Sequence, residues 1–227
     1  MPSKKTQLVN GEYYHVYNRG VDKRMIFQDE KDYFKFLRNL KDFNNNSYYE
    51  QRIKELRPKI YKIKERGSFI LDKEKTVSIV AYSLLPNHFH LILKQLTDKG
   101  ISNFMHKIGT SFTNHFNKKH DRSGYLFQGP YKAVHINNDD YLLWLSGYIN
   151  SNVEIHGIEK AENYKWSSYD TFLGKRKNKL LGDIDIVLSR FKNSKEYENY
   201  VDGVIEQSKN RKGMIKKEKR KYLLEQL

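Results

Sequence analysis

The stretch from Thr76 to Leu93 constrains the fold of this chain more than any other segment. Thr76 to Leu85 is rich in β-branched and apolar residues, as a buried strand requires. Pro86-Asn87 reads as a turn, after which Phe89, Leu91 and Leu93 alternate with His88, His90 and Ile92. An antiparallel hairpin is predicted. Side chains alternate faces along a strand, so His88 and His90 point the same way, roughly 7 Å apart along the backbone, while Phe89 points into a core. Two imidazoles held side by side on a rigid strand can share a metal ion. A chance pair on a solvated face accounts for the same pattern equally well.

The flanking segments supply the rest of a small α+β fold. Gly11 to Arg19 alternates as a first strand, with Tyr14, Val16 and Asn18 on one face and Tyr13, His15 and Tyr17 on the other; His15 reads as a structural strand residue. Asp29 to Phe43 carries Tyr33, Phe36, Leu37 and Leu40 at helical spacing and ends at Asn44-Asn45-Asn46. The charged segment 47–75 reads as an insertion. Gly100 to Lys119 has an apolar stripe of Ile101, Phe104, Met105, Ile108, Phe112 and Phe116, with Lys107, Thr110, Asn114 and Lys118 on its other side. Tyr131 to Ile136 predicts a fourth strand, and the Asn137-Asn138-Asp139-Asp140 run caps a helix expected to reach Asn152. The order β-α-β-β-α-β predicts a ferredoxin-like split βαβ antiparallel sheet with helices on one face. Residues 1–173 are expected to form this domain, and residues 174–227 a helical, basic C-terminal extension ending in the lysine-rich run Lys209 to Lys221.

Composition narrows the function. Lys and Arg number 42 against 27 Asp and Glu, a formal charge of +15, which calls for an anionic partner such as nucleic acid. The 17 tyrosines and 12 phenylalanines interleaved with that charge suit stacking on unpaired bases. With no cysteine, disulfides, thiolate metal sites and cysteine nucleophiles are excluded. No apolar run approaches membrane-spanning length and Met1-Pro2-Ser3-Lys4-Lys5 lacks a signal-peptide core, so a cytoplasmic, nucleoid-associated protein without a membrane partner is expected. Monomer and homodimer are both compatible with the sequence.

Tyr148 and Asn152 lie four residues apart, which on a continuous helix places them on one face about 6 Å apart along the axis. No Gly-x-Ser-x-Gly elbow and no phosphate-binding loop offers a rival chemistry. Four segments in order, His15-Val16-Tyr17-Asn18-Arg19-Gly20, Leu85-Pro86-Asn87-His88-Phe89-His90, Gly124 through Lys132 (GYLFQGPYK) and Tyr148-Ile149-Asn150-Ser151-Asn152, resemble the REP-associated tyrosine transposases. These are single-tyrosine HUH transposases, named for a His, hydrophobic, His motif. The resemblance spans about Gly11 to Leu173, with Val153 standing where the family usually has proline.

That resemblance implies that His88, His90 and Asn152 bind a divalent metal, Mg²⁺ or Mn²⁺, and that Tyr148 attacks a DNA phosphate to leave a 5′-phosphotyrosine. The expected activity is cleavage and rejoining of single-stranded or hairpin DNA. A non-catalytic DNA- or RNA-binding regulator and a replication-initiator or relaxase-like nickase are the alternatives. Tyr125 and Tyr131 are rival nucleophiles, and Arg19, Lys107 and Lys118 are candidates for gripping nucleic acid.

Overall fold

The computed structural model describes residues 7–44 and 75–224. The insertion expected over 47–75 therefore lies, apart from its last residue, outside the described residues. Four strands, β1 (Tyr13–Arg19), β2 (Val77–Leu85), β3 (His88–Gln95) and β4 (Lys132–Ile136), form one sheet in the order β2-β3-β1-β4. This is the strand order of the expected ferredoxin-like arrangement, with antiparallel β1 and β3 at its centre. Between the strands lie α1 (Glu30–Asp42) and α2 (Gly100–Lys119). After β4 come α3 (Asp139–Asn150), three single-turn helices, α4 (Asn152–Ile155), α5 (Tyr169–Phe172) and α6 (Asp185–Leu188), and the long α7 (Ser194–Leu224).

Contacts divide the chain into two compact units: the residues up to Val80 with Pro86–His135, and Ala81–Leu85 with Ile136 onward. In the first unit, α1 and α2 cover one face of the sheet through an aromatic core. Phe36 sits 5.0 Å from Phe89 and 5.1 Å from Phe112 between ring centroids, and Phe27 stacks on Tyr33 at 4.6 Å. Phe36, Phe89 and Phe112 are buried, so truncating any one to alanine is expected to cost about 3–5 kcal/mol. Asp29 caps α1 in a reciprocal capping box with Asp32, the geometry that satisfies the first amides of a helix. The buried Asp32 carboxylate also accepts from Lys119 Nζ at 2.9 Å and contacts His115 Nε2 at 3.2 Å, tying the start of α1 to the end of α2.

In the second unit α7 packs against α3, with Tyr197 donating and accepting within the buried group Asn150, Ser146 and Tyr197. The half-strand Ala81–Leu85 belongs here. Its edge is covered by Trp166-Ser167-Ser168, with Leu84 N–H donating to Trp166 O at 3.0 Å and Ser168 N–H to Tyr82 O at 2.9 Å. Covering the edge removes a row of unpaired backbone groups. The compact units thus do not follow a boundary at 173/174: residues 136–173 group with the C-terminal helix because α3 buries its apolar face, including Leu142, Leu145 and Ile149, within this unit.

The helix expected to run to Asn152 stops at Asn150. Ser151 leaves helical geometry (φ −103°, ψ 8°), and its Oγ–H donates to Gly147 O at 2.7 Å, the back-bonding that bends helices. Val153, in the place of the usual proline, is fully buried in one further turn, α4.

Candidate nucleic-acid and metal site

Three of the four motifs meet at one end of the first unit's sheet. Gly20 N–H donates to Asn87 O and Val21 N–H to Leu126 O, both at 2.9 Å, while Ile26 and Phe27 N–H both donate to Pro86 O. Asn18 Nδ2 reaches Gly129 O at 3.0 Å. Only glycine fits at position 20, because a Cβ there would lie 2.3 Å from Arg24 O. The spacing of these motifs in the sequence is thus explained by one junction of backbone hydrogen bonds.

Antiparallel pairing sets Tyr17 opposite His90 and Arg19 opposite His88, so these side chains share the face turned away from α1 and α2. His88 and His90 have centroids 5.1 Å apart with perpendicular planes. His90 Nδ1 lies 2.8 Å from His15 Nε2, and the two rings stack at 5.0 Å. Burial pushes the His15 imidazolium down to about 4, so at neutral pH His15 is uncharged and can accept a proton shared from His90. His88 Nδ1 lies 2.6 Å from Asn87 Oδ1, an atom that only accepts, which fixes the His88 proton on Nδ1.

In the tautomer in which His90 donates Nδ1–H to His15, Nε2 is the ring nitrogen that carries a lone pair on both histidines. A ligating histidine characteristically donates its other ring N–H to an oxygen or similar acceptor, so the pair and its partners fit a divalent cation. Among the described residues no cluster of three or more His, Cys, Asp or Glu side chains gathers in metal-binding geometry, so the histidine pair would need further donors of another kind.

The structure brings Arg19 to the histidine face and does not bring Lys107 or Lys118 there. Both lysines belong to α2, in the helical layer against the opposite face. On that side a groove of about 710 Å³ runs between α2 and the GYLFQGPYK loop, where Phe127, Tyr125 and Tyr131 alternate with amide and hydroxyl groups of Asn18, Thr113 and Asn117. Tyr125 is 87% exposed at this groove, and Tyr131 Oη donates to Ser102 Oγ at 3.2 Å.

Tyr148 and Asn152 belong to the second unit. Tyr148 is half-buried near the end of α3, stacked on Trp144 at 5.1 Å. Asn152 is fully buried and opens α4, so the break at Ser151 separates the two onto different helical turns.

Sequence reasoning missed two contributors to the histidine site, His15 and Asn87. The signal was present: alternation puts His15 on the Tyr17 face, and a central β1–β3 pair of a ferredoxin-like sheet brings that face to the histidines.

Residues 54–152 match the model of the IS200-like transposase family, which bears out the resemblance to the tyrosine transposases. No curated protein sequence matches the chain. Among solved structures, a REP-associated tyrosine transposase bound to a REP hairpin is similar at 17% identity and a TM-score of 0.53, covering 81% of this chain and 93% of that one. The tRNA(His) guanylyltransferase of Saccharomyces cerevisiae aligns over 88% of this chain and 75% of its own, at 13% identity and a TM-score of 0.32. Among the described residues no helix is long and apolar enough to cross a membrane.

Proposed function

We propose that this chain cleaves and rejoins single-stranded or hairpin DNA through a covalent intermediate on Tyr148, with His88, His90 and Asn152 holding Mg²⁺ or Mn²⁺. The observation that carries the reading is the histidine pair. Each ring is oriented by a hydrogen bond at Nδ1, to Asn87 and to His15, in a chain whose residues 54–152 match the IS200-like transposase family model. The similar solved structure is bound to a REP hairpin, and the same class of partner is proposed here.

A divalent cation, when bound, supplies withdrawal of charge from the non-bridging oxygens of the scissile phosphate. Arg19, opposite His88 in the register, offers a guanidinium to the same anion. Tyr148 Oη forms the new bond to phosphorus as the P–O3′ bond breaks, and the phenolic proton is balanced by protonation of the departing 3′ oxygen. The products are a 5′-phosphotyrosine and a free 3′-hydroxyl. Attack by another 3′-hydroxyl reverses the exchange, so no external energy source is needed to rejoin strands.

Incubation with a single-stranded hairpin oligonucleotide and Mn²⁺ is expected to yield a protein–DNA adduct that survives denaturation and is absent with EDTA. Tight hairpin binding without any adduct, under metals that include Mg²⁺ and Mn²⁺, would contradict this reading and favour the non-catalytic regulator.

A further inference from the structure

Helix α3 carries more aromatic surface than a lone nucleophile requires. Tyr141, Trp144 and Tyr148 follow one another at intervals of three and four residues, one stripe of the helix. Their planes are nearly parallel, at 15° and 16°, with centroids 6.4 Å and 5.1 Å apart. Face-to-face carbon contact needs only about 3.5–4 Å, so the rings are stepped or spaced rather than in full overlap. All three are half-buried, whereas the interleaved Leu142, Leu145 and Ile149 are buried.

The middle ring is fixed from α7. Trp144 Nε1–H donates to Gln207 Oε1 at 3.1 Å. The two helices run antiparallel: Tyr197 meets Asn150, a Cβ on Gly147 would lie 3.2 Å from Val204, and Gln207 meets Trp144. Arg211 is exposed one turn beyond Gln207 on the same helical face. From Lys209 to Lys221 the sequence holds eight Lys or Arg and a single acid, Glu218. A stacked aromatic stripe beside a basic helix is the pairing that single-stranded nucleic acid takes: rings for the bases, cations for the backbone.

We propose that Tyr141, Trp144 and Tyr148 form a stepped stacking platform that holds unpaired nucleotides beside the phosphate attacked by Tyr148, with Arg211 drawn to the backbone of the same strand. The inference rests on reading Tyr148 as the nucleophile. It adds to that reading a positioning surface that favours unpaired over paired DNA, since the bases of a duplex are already stacked on one another.

The chain contains two tryptophans, Trp144 and the buried Trp166, so intrinsic fluorescence can report on the platform. Titration with oligothymidylate is expected to quench emission, and a duplex of equal length is not. Trp144→Phe should remove most of the quenching while keeping most of the affinity, because a ring remains. Trp144→Ala should weaken oligothymidylate binding roughly five- to hundred-fold, as loss of a stacked base does, with the slope of affinity against salt unchanged.

Far-UV circular dichroism verifies folding, and Tyr141→Leu, at the outer step, repeats the test should Trp144→Ala unfold. Wild-type affinity in a folded Trp144→Ala, or an equal loss on duplex and single strand, would overturn the platform. Adduct formation on the hairpin is scored separately. A missing adduct with intact Trp144 quenching contradicts the nucleophile alone; a full adduct with no Trp144-dependent binding contradicts the platform alone.

Discussion

At the scale of single residues, the histidine face is organised by side chains that do not themselves need to touch a ligand. His15 lies 2.8 Å from His90 Nδ1 and Asn87 Oδ1 lies 2.6 Å from His88 Nδ1, each engaging one ring nitrogen in a hydrogen bond. Loss of such an orienting partner costs metal affinity about 10- to 100-fold in well-studied sites. His15→Ala is therefore expected to weaken Mn²⁺ binding by that order in calorimetry, while His15→Gln, which can still donate or accept at a similar reach, retains more of it. Unchanged Mn²⁺ affinity in His15→Ala would mean that His90 is oriented by something other than His15. The role of His15 was not read from the sequence because alternation and the ferredoxin-like strand order place its face beside the histidine strand without giving the register that brings it to His90. Once β1 and β3 are neighbours in the observed register, the assignment follows.

At the scale of elements, a buried ionic group ties α1 to α2 beside their aromatic core. Burial alone would raise the Asp32 carboxyl; hydrogen bonds from the Gln28 amide and from the Lys119 and His115 side chains outweigh it and hold the group below the ordinary carboxylate range. A carboxyl depressed in the folded state contributes stability above its unfolded value and loses it as pH falls through the folded one. Asp32→Asn should cost on the order of 2–3 kcal/mol at neutral pH, and the gap in melting temperature to wild type should close as pH drops below about 4. A gap that stays constant down to pH 3 would contradict this sign.

The α2 boundaries, Gly100–Lys119, were legible in full because six apolar residues recur at helical spacing and every one is buried. The end of α3 was not, because the break depends on Ser151 bonding back to Gly147 O, a local competition that periodicity does not register. The packing of α3 on α7 was equally invisible: Gly147 and Val204 meet across 57 positions of sequence, and nothing local to either announces the other.

At the scale of the whole molecule, the proposed function gives the surplus of +15 and the aromatic groove beside α2 different contributions to DNA binding. Phosphate neutralisation is blind to sequence and salt-sensitive, about −0.7 in the logarithmic slope per phosphate of a single strand. Stacking and amide contacts carry selectivity and little salt dependence. A hairpin and a scrambled strand of equal length should therefore show similar slopes but different affinities, and Lys118→Ala should reduce both slopes by up to about 0.7. Equal affinity for the two at every salt concentration would contradict a preference for hairpins while leaving the chemistry intact.

The proposed chemistry turns on one oxygen. Trypsin cleavage after Arg122, Lys132 and Lys160 puts Tyr125 and Tyr131 in one peptide, 123–132, and Tyr148 in another, 133–160. Mass spectrometry of the nuclease-trimmed adduct should find the nucleotide on peptide 133–160, at Tyr148, and Tyr148→Phe should abolish the adduct while binding the hairpin nearly as well as wild type. A nucleotide found on peptide 123–132, or an adduct that persists in Tyr148→Phe, would contradict it.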